Sequence, residues 1–231
     1  MHVSNQAEAV NDHEERGPRA RTARLMLDTA VQLMQGGMVP SVSDVAEAAQ
    51  VSRATAYRYF PSQAALVHAV VDEALGPILD WRSDATEAGE RVRDLFEGAM
   101  PRIDAFEATF RAALQLSLQQ WAKRQAGTLG SEPAFTRGHR IDLISKAFQP
   151  LPDEVGDAER QRLAKALSLI FGIESLIVLK DIWGDGAEEA RGVVLWAAQA
   201  LVDATLAEAQ AYGHNLVGPN ARPRELNKPT K

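Results

Sequence analysis

The chain has 231 residues, a formal net charge of −6 and no cysteine, which excludes a disulfide framework and a thiolate metal site. Hydrophobic residues make up 45% of the sequence, so a packed core can form. Ala, Leu, Glu, Gln and Arg are abundant and β-branched runs are few, which favours an all-α chain. The longest apolar run, residues 167–179, contains Glu174 and is too short to span a membrane. The N-terminus lacks the apolar core of a signal peptide, so we expect a cytoplasmic protein.

Charge is distributed unevenly along the chain. Residues 1–15 hold four acidic residues and no Lys or Arg, whereas residues 16–68 hold six arginines against three acidic residues. The rest of the chain is acidic overall. A basic segment on an acidic body is typical of a separate DNA-binding module, although an ordinary fluctuation in surface charge would give the same local excess.

Apolar periodicity, caps and breakers divide the chain into a predicted order of elements. We predict helices over residues 18–35, 41–50, 52–60, 62–75, 91–125, 134–148, 157–183 and 187–212. Pro101 is expected to kink or divide the fifth helix, and Gly184-Asp185-Gly186 to join the last two. The polar, aperiodic ends predict a disordered arm over 1–17 and a disordered tail over 213–231. The break at Gly76-Pro77 predicts a boundary between one domain at 18–76 and another at 77–212.

Residues 40–60, PSVSDVAEAAQVSRATAYRYF, predict two short helices joined by a tight turn. Helices of this length are unstable alone in water, so they must pack against neighbouring helices. The second helix alternates apolar residues with side chains that suit phosphates and base edges, which indicates a DNA-reading helix.

Residues 19–71 resemble the DNA-binding domain of the TetR family of transcriptional regulators. The resemblance rests on DVAEAAQVSRATAYRYF at 44–60, followed by PSQAAL at 61–66, with an amphipathic helix before it. Beyond residue 71 the chain is similar to the family only in architecture. The resemblance implies an all-α fold with a three-helix helix-turn-helix domain and a larger helical domain for ligand binding and dimerisation. It also implies a dimeric, sequence-specific regulator, a repressor that a small-molecule effector releases from operator DNA.

Three residues depart from the family pattern. Gln50 stands where the turn usually has glycine, so the left-handed conformation there carries a cost. Ala56 replaces a larger aliphatic residue, which predicts thinner packing beneath the third helix. Gln63 replaces a lysine that in relatives commonly contacts a phosphate, which puts that contact in doubt.

Chemistry and the resemblance together suggest which residues contact DNA. Arg53 is the candidate for direct readout, because a guanidinium can pair bidentately with guanine. The tyrosine hydroxyls suit phosphates, although Tyr57 has an alternative role in packing, and Arg58 is interpreted as a solvated surface residue. The candidate DNA-binding residues are Arg19, Arg21, Thr22, Ser43, Ser52, Arg53, Thr55, Tyr57 and Tyr59.

Candidate effector-binding residues lie on the middle helices and the penultimate helix. Pockets are lined by the same residue types as cores, and for most of these positions plain core is the favoured interpretation. For Glu174, inside an apolar run, a salt bridge to a neighbouring helix is favoured over a ligand contact. The candidates are Phe96, Met100, Phe110, Gln115, Trp121, His139, Phe148 and Glu174.

The last two predicted helices, 157–183 and 187–212, are apolar over more than one face. A surface helix needs a single apolar stripe, so a wider arc predicts a central position or a subunit interface. Two such helices from each of two chains would form a four-helix bundle, and we expect a homodimer through them.

Enzyme chemistry finds no support in the sequence. The five histidines are scattered, and none of the motifs of nucleophilic, phosphate or dinucleotide sites is present, so we expect no catalytic residue, no cofactor and no metal. The alternative function is a helical adaptor whose C-terminal domain binds a protein partner, with DNA contact secondary.

Overall fold

The protein is described by a computed structural model that covers residues 17–152 and 155–216, with the side chains of 212–216 excepted. All regular elements within these ranges are helical, which confirms the predicted all-α fold. The helices are α1 Pro18–Gln35, α2 Val42–Ala48, α3 Arg53–Tyr59, α4 Gln63–Leu75, α5 Ala88–Ala105, α6 Glu107–Gln125, α7 His139–Ala147, α8 Asp157–Ile170, α9 Ile173–Leu176 and α10 Ala187–Leu216. A 3₁₀ turn, Gly76–Ile78, follows α4, and a π-helical segment, Ile177–Trp183, follows α9.

The predicted disorder of the two ends concerns residues that lie almost entirely outside the described ranges. Where the ranges do overlap, α10 continues to Leu216, so the helix extends four residues into the segment predicted as tail. At the other end, α1 begins at Pro18 as predicted, with proline in the first helical turn.

Serine hydroxyls begin three successive helices in the N-terminal domain. Ser41 and Asp44 form the predicted capping box: Asp44 N–H donates to Ser41 Oγ (3.2 Å), and Ser41 N–H donates to Asp44 Oδ2 (2.7 Å). These bonds from Ser41 hold the pKa of the Asp44 carboxyl below its usual range. Ser52 Oγ accepts from Thr55 N–H, and Ser62 Oγ accepts from Ala65 N–H. The boundaries of α2, α3 and α4 are therefore set by local chemistry.

The turn between α2 and α3 contains the one non-glycine residue with positive φ in the described part of the chain. Gln50 has φ of 54°, and the hydrogen bond from Val51 N–H to Ala46 O (2.9 Å) closes the turn around it. The left-handed conformation costs a non-glycine residue about 1–2 kcal/mol. The predicted strain at this position is therefore present.

Replacing Gln50 with glycine is expected to raise the free energy of unfolding by roughly 1 kcal/mol, because glycine adopts positive φ without a Cβ penalty. The control is Gln32→Gly in the last turn of α1, also exposed, where the same exchange should destabilise the chain because glycine is a poor helix former. Urea denaturation of both variants measures the two values. A destabilised Gln50→Gly variant would show that the turn is not strained.

The buried apolar residues of the described chain form two clusters. The N-terminal cluster joins α1 to α4, and it also takes in Ala112, Ala113 and Leu116 from α6. The second cluster is built by α5 and α7 to α10. Phe110 packs against both clusters. Apolar packing therefore crosses the predicted boundary at residue 76, so the two predicted domains share a packed interface.

The predicted helix 91–125 is divided at Phe106, between α5 and α6, and not at Pro101. Pro101 lies inside α5 on its exposed face, where water can satisfy the carbonyl that proline leaves without an N–H donor. Phe106 leaves helical geometry, with φ of −108° and ψ of 27°. The helix is therefore not divided at Pro101, because exposure makes the missing hydrogen bond tolerable.

Two other predicted helices are shorter than expected. Residues 134–138 are not helical, and α7 begins only at His139, because the buried side chain of Gln120 accepts from Phe135 N–H (2.7 Å) and holds the start of that segment outside a helix. The predicted helix 157–183 breaks at Gly172, which has φ of 130° and would bring a Cβ within 2.9 Å of Arg140 Nη2.

Candidate nucleic-acid interface and effector cavity

Packing between α2 and α3 determines which side chains face outward. Val45 and Ala46 of α2 and Ala56 of α3 are fully buried, which turns the opposite face of α3 toward solvent. Arg53 is exposed on that face, and no ion pair involves it within the described residues. Tyr57, one turn later, is 47% exposed. A guanidinium and a phenol one helical turn apart thus form an outward surface whose chemistry would suit DNA.

The N-terminus of α2 extends this surface. Ser43 Oγ lies 3.4 Å from the Tyr57 hydroxyl, so the first turn of α2 and the middle of α3 present hydroxyls side by side. Ser52 and Thr55 satisfy each other, because Ser52 Oγ donates to Thr55 Oγ1 (2.9 Å) and accepts from Thr55 N–H. Those two hydroxyls order the first turn of α3 before any contact with DNA.

The remaining candidate residues differ in availability. Arg19 and Arg21 are exposed in the first turn of α1. Thr22 donates its hydroxyl to Pro18 O (2.9 Å), so its proton is already used inside α1. Tyr59 is half-buried against the N-terminal cluster, and the Arg58 guanidinium lies 5.4 Å from its ring centroid. Tyr57 is therefore the more accessible of the two tyrosines.

Gln63, the residue in the lysine position, has a structural partner. Its Nε2 donates to Val39 O (3.2 Å) and Pro40 O (3.1 Å). This amide connects the first turn of α4 to the segment that leads into α2. The Gln63 side chain therefore stabilises the helix-turn-helix unit through internal hydrogen bonds.

A small, mostly apolar cavity lies where α4 meets the C-terminal helices. Its volume is about 70 Å³, and it is lined from α4 by Val71 and Leu75. The other lining residues are Ile103, Phe110, Ala113, Phe135, Arg137, His139, Arg140, Leu143, Phe171, Gly172 and Ile173. The cavity therefore touches both α4 of the N-terminal domain and the break between α8 and α9.

A carboxylate beside the cavity holds two of its lining arginines. Glu174 forms ion pairs with Arg137 and with Arg140, whose Nη2 donates to Glu174 Oε2 (2.7 Å). Burial opposes ionisation of Glu174, but the hydrogen bond and charge of Arg140 and the charge of Arg137 outweigh it, so the pKa of the carboxyl is lowered. The salt-bridge interpretation of Glu174 is confirmed by these contacts.

Comparison with known proteins relates the N-terminal part of the chain to a known family. The sequence model described as bacterial regulatory proteins of the tetR family matches residues 26–70, which include α2 and α3. Residues 26–70 are therefore similar to the tetR family of bacterial regulatory proteins. The resemblance predicted from the motif at 44–60 is thereby confirmed.

Two relatives extend the comparison beyond the motif. The HTH-type transcriptional repressor LfrR of Mycolicibacterium smegmatis is 30% identical over 101 residues, which are 44% of this chain and 44% of that protein. A crystal structure of a TetR transcriptional regulator from Rhodococcus sp. RHA1 matches 80% of this chain and 97% of its own, with a TM-score of 0.54. Its identity is 19%, so the likeness shows the shared fold alone. The alignment spans less than half the length of LfrR.

Two of the predicted effector residues line the cavity, namely Phe110 and His139, and Glu174 is paired with two lining arginines. Phe96, Met100 and Phe148 are buried in the second cluster, where the Phe96 ring stands 4.9 Å from that of Phe171. Gln115 and Trp121 are exposed and lie outside the cavity, because α6 turns Leu116 and Gln120 inward instead. The other predicted positions are therefore core or surface.

The most informative residues that sequence reasoning missed are polar. Gln120 is buried, and its Nε2 donates to Pro133 O (3.1 Å), which with the bond from Phe135 fixes the segment that carries Arg137. Arg140 donates to Ser168 O (3.0 Å) at the end of α8 as well as to Glu174. The signal in the sequence was Glu174 itself, since a carboxylate in an apolar run requires basic partners.

Replacing Glu174 with glutamine should lower the free energy of unfolding at pH 7 by roughly 1 kcal/mol, a value reduced because the side chain is 36% exposed. The lowered pKa means that the stabilisation is present above the unfolded-state pKa of a glutamate, about 4.3, and is lost as pH falls through the folded-state value. Urea denaturation from pH 7 to pH 3 should show the difference between native chain and variant shrinking as the pH falls below the unfolded-state pKa. Glu97→Gln on the exposed face of α5 serves as control. A difference independent of pH would contradict the ion pair.

Proposed function

We propose that the chain is a dimeric, sequence-specific DNA-binding regulator that represses transcription and is released from its operator by a small-molecule effector. The observation that carries this is the outward face of α3, where Arg53 and Tyr57 stand exposed beside Ser43 in a domain of the TetR family. Repression is supported by the name of LfrR, which is a transcriptional repressor.

DNA reading is assigned to α3 in the major groove. Arg53 pairs with the O6 and N7 of a guanine, and Thr55 contacts a base methyl or a phosphate. Tyr57, Ser43 and the exposed arginines of α1 contact phosphates, which fix position without reading sequence. Ser52 serves as the cap that orders this helix, and Tyr59, its last residue, packs against the N-terminal cluster.

Dimerisation is supported by an apolar surface on the last helices. Trp183 and Trp196 are 75% and 73% exposed in the single chain. Over Ala187–Ala211, α10 is long and apolar enough to cross a membrane by length and composition, but only 28% of its most apolar window is buried. The exposed apolar residues of this dimer face are Leu169, Val178, Ile182, Trp183, Val193 and Trp196. A second copy that covers this face explains such a helix in a cytoplasmic protein.

The predicted dimer elements are revised in one respect. The segment 157–183 is not a single helix, and most of the exposed apolar residues come from the π-helical segment and the first half of α10. We therefore place the interface on Ile177–Trp183 and the N-terminal half of α10, with Leu169 at its edge.

Effector binding is assigned to the cavity beside α4. Its volume of about 70 Å³ is far below the roughly 300–1,000 Å³ of ordinary ligand pockets, so the effector must widen it. The lining favours an apolar or amphipathic molecule. Arg102 of α5 donates to Glu73 O (3.0 Å) at the end of α4, so a displacement of α5 reaches the DNA-binding domain directly. Release follows if the effector binds the displaced arrangement more tightly.

A titration of the full chain on DNA from upstream of its own gene tests the proposal. We expect a shift that survives excess scrambled competitor and weakens steeply with salt, because each phosphate contact releases counterions. If scrambled competitor displaces the chain as effectively as the specific DNA does, the binding is not sequence-specific. That result would contradict the proposed regulation and would favour the adaptor function. No catalytic group or cofactor enters this mechanism.

A further inference from the structure

Three potential metal ligands converge between α4 and α7. His68 and Asp72 stand one turn apart on the same face of α4, and His139 is the first residue of α7. One ligand atom from each side chain lies within 4.8 Å of the others. The sequence predicted no metal site, because His68 and His139 are far apart in the chain and only the fold brings them together.

Part of this cluster has an ordinary explanation. His139 Nε2 lies 2.7 Å from Asp72 Oδ1, which is a hydrogen-bonded pair that joins the two helices. His68 Nε2 accepts a long bond of 3.4 Å from Thr136 N–H, and its ring lies 4.7 Å from that of Phe135. The hydrogen bond between Asp72 and His139 does not involve His68. The pair therefore does not explain why a second imidazole lies beside it.

We propose that His68, Asp72 and His139 bind a divalent transition-metal ion of the zinc class. Two imidazoles and one carboxylate suit zinc, whereas magnesium and calcium prefer an all-oxygen set. Ligand atoms around a tetrahedral zinc ion are roughly 3.3–3.6 Å apart. The present separations therefore need adjustments of about 1 Å, within reach of rotamer changes in three part-exposed side chains.

The position of the site gives metal binding a structural consequence. α4 belongs to the DNA-binding domain, α7 belongs to the C-terminal domain, and His139 also lines the cavity. An ion that binds only when α4 and α7 are together stabilises that arrangement by linkage. Three protein ligands also leave a fourth position for water or for a ligand donor.

Zinc titration of the full chain, stripped with EDTA, tests the site by calorimetry, with cobalt absorption as a report on imidazole coordination. We expect one ion per chain, and we expect His68→Ala and His139→Ala each to weaken binding at least about tenfold. Asp142→Asn, an exposed carboxylate on the same helix as His139, should bind as the native chain does. A variant with His2, His13 and His214 replaced by alanine should also retain the ion.

Thermal unfolding separates metal binding from folding defects. Zinc should raise the Tm of the native chain and of Asp142→Asn, and should leave the Tm of the double variant His68→Gln/His139→Gln unchanged. Far-UV circular dichroism establishes that the variants fold without metal. Equal zinc affinity in the double variant and the native chain would overturn the proposal. Failure of the native chain to bind zinc below millimolar concentration would also overturn it, leaving only the pair of Asp72 and His139.

Discussion

Arg53→Ala is expected to weaken operator binding by roughly thirtyfold or more and to reduce affinity for random DNA only slightly. A bidentate arginine–guanine pair is worth about 1–3 kcal/mol, and a dimer loses that pair in each half-site. Arg53 is exposed at the start of α3, with its neighbours Ser52 and Thr55 bonded to each other, so the substitution leaves the helix start intact. Fluorescence anisotropy with operator and scrambled duplexes at one salt concentration measures both affinities.

Arg58→Ala is the matched control on the same helix. Its guanidinium lies over the Tyr59 ring, and the substitution removes the same charge without removing the proposed base contact. We expect operator and random DNA to lose affinity equally in this variant, each by a few-fold. If Arg53→Ala behaves in the same way, with both affinities reduced by one factor, then Arg53 contacts phosphate and reads no base.

Trp196→Glu is expected to convert the dimer into a monomer and to lower operator affinity about a hundredfold or more. The side chain is 73% exposed on α10, and a carboxylate in the centre of a desolvated apolar interface would be unpaired. In a monomer the two DNA-binding domains are no longer linked, so binding to one half-site no longer favours binding to the other. The affinity gained from this effective concentration, about 10²–10⁴, is then lost. Analytical ultracentrifugation measures the mass, and anisotropy measures the affinity.

Trp121→Glu tests whether any exposed tryptophan would give the same result. Trp121 is 58% exposed on α6, away from the proposed dimer face, and its substitution introduces the same negative charge. We expect this variant to remain dimeric and to bind the operator as the native chain does. A monomeric Trp121→Glu variant together with a dimeric Trp196→Glu variant would move the interface to α6.

The DNA-binding domain could be predicted closely because its boundaries depend on short-range chemistry. Ser41, Ser52 and Ser62 each accept from an N–H three residues later, and these bonds begin α2, α3 and α4 near the predicted positions. The strain at Gln50 was also visible, since the turn requires positive φ whatever the distant packing. Local sequence signals therefore suffice where local bonds determine the structure.

The C-terminal domain depends on contacts that sequence spacing does not reveal. Pro101 was the strongest local breaker in its region, yet α5 passes through it and ends at Ala105. Gly172 breaks the penultimate helix where its backbone meets Arg140, which comes from another helix. Likewise Phe96 and Phe110 are alike in the sequence, and only packing places one in the core and the other at the cavity. Long-range packing decides these outcomes.

Selection of duplexes from a random DNA pool by the full chain tests the central claim most directly. Two copies related by a two-fold axis should enrich an inverted repeat whose half-sites are centred about 10 base pairs apart, or a multiple of one helical turn. Native mass spectrometry of the selected complex should then show chains bound in pairs. Enriched sites without dyad symmetry that bind a single chain, or no enrichment at physiological salt, would contradict a dimeric sequence-specific regulator.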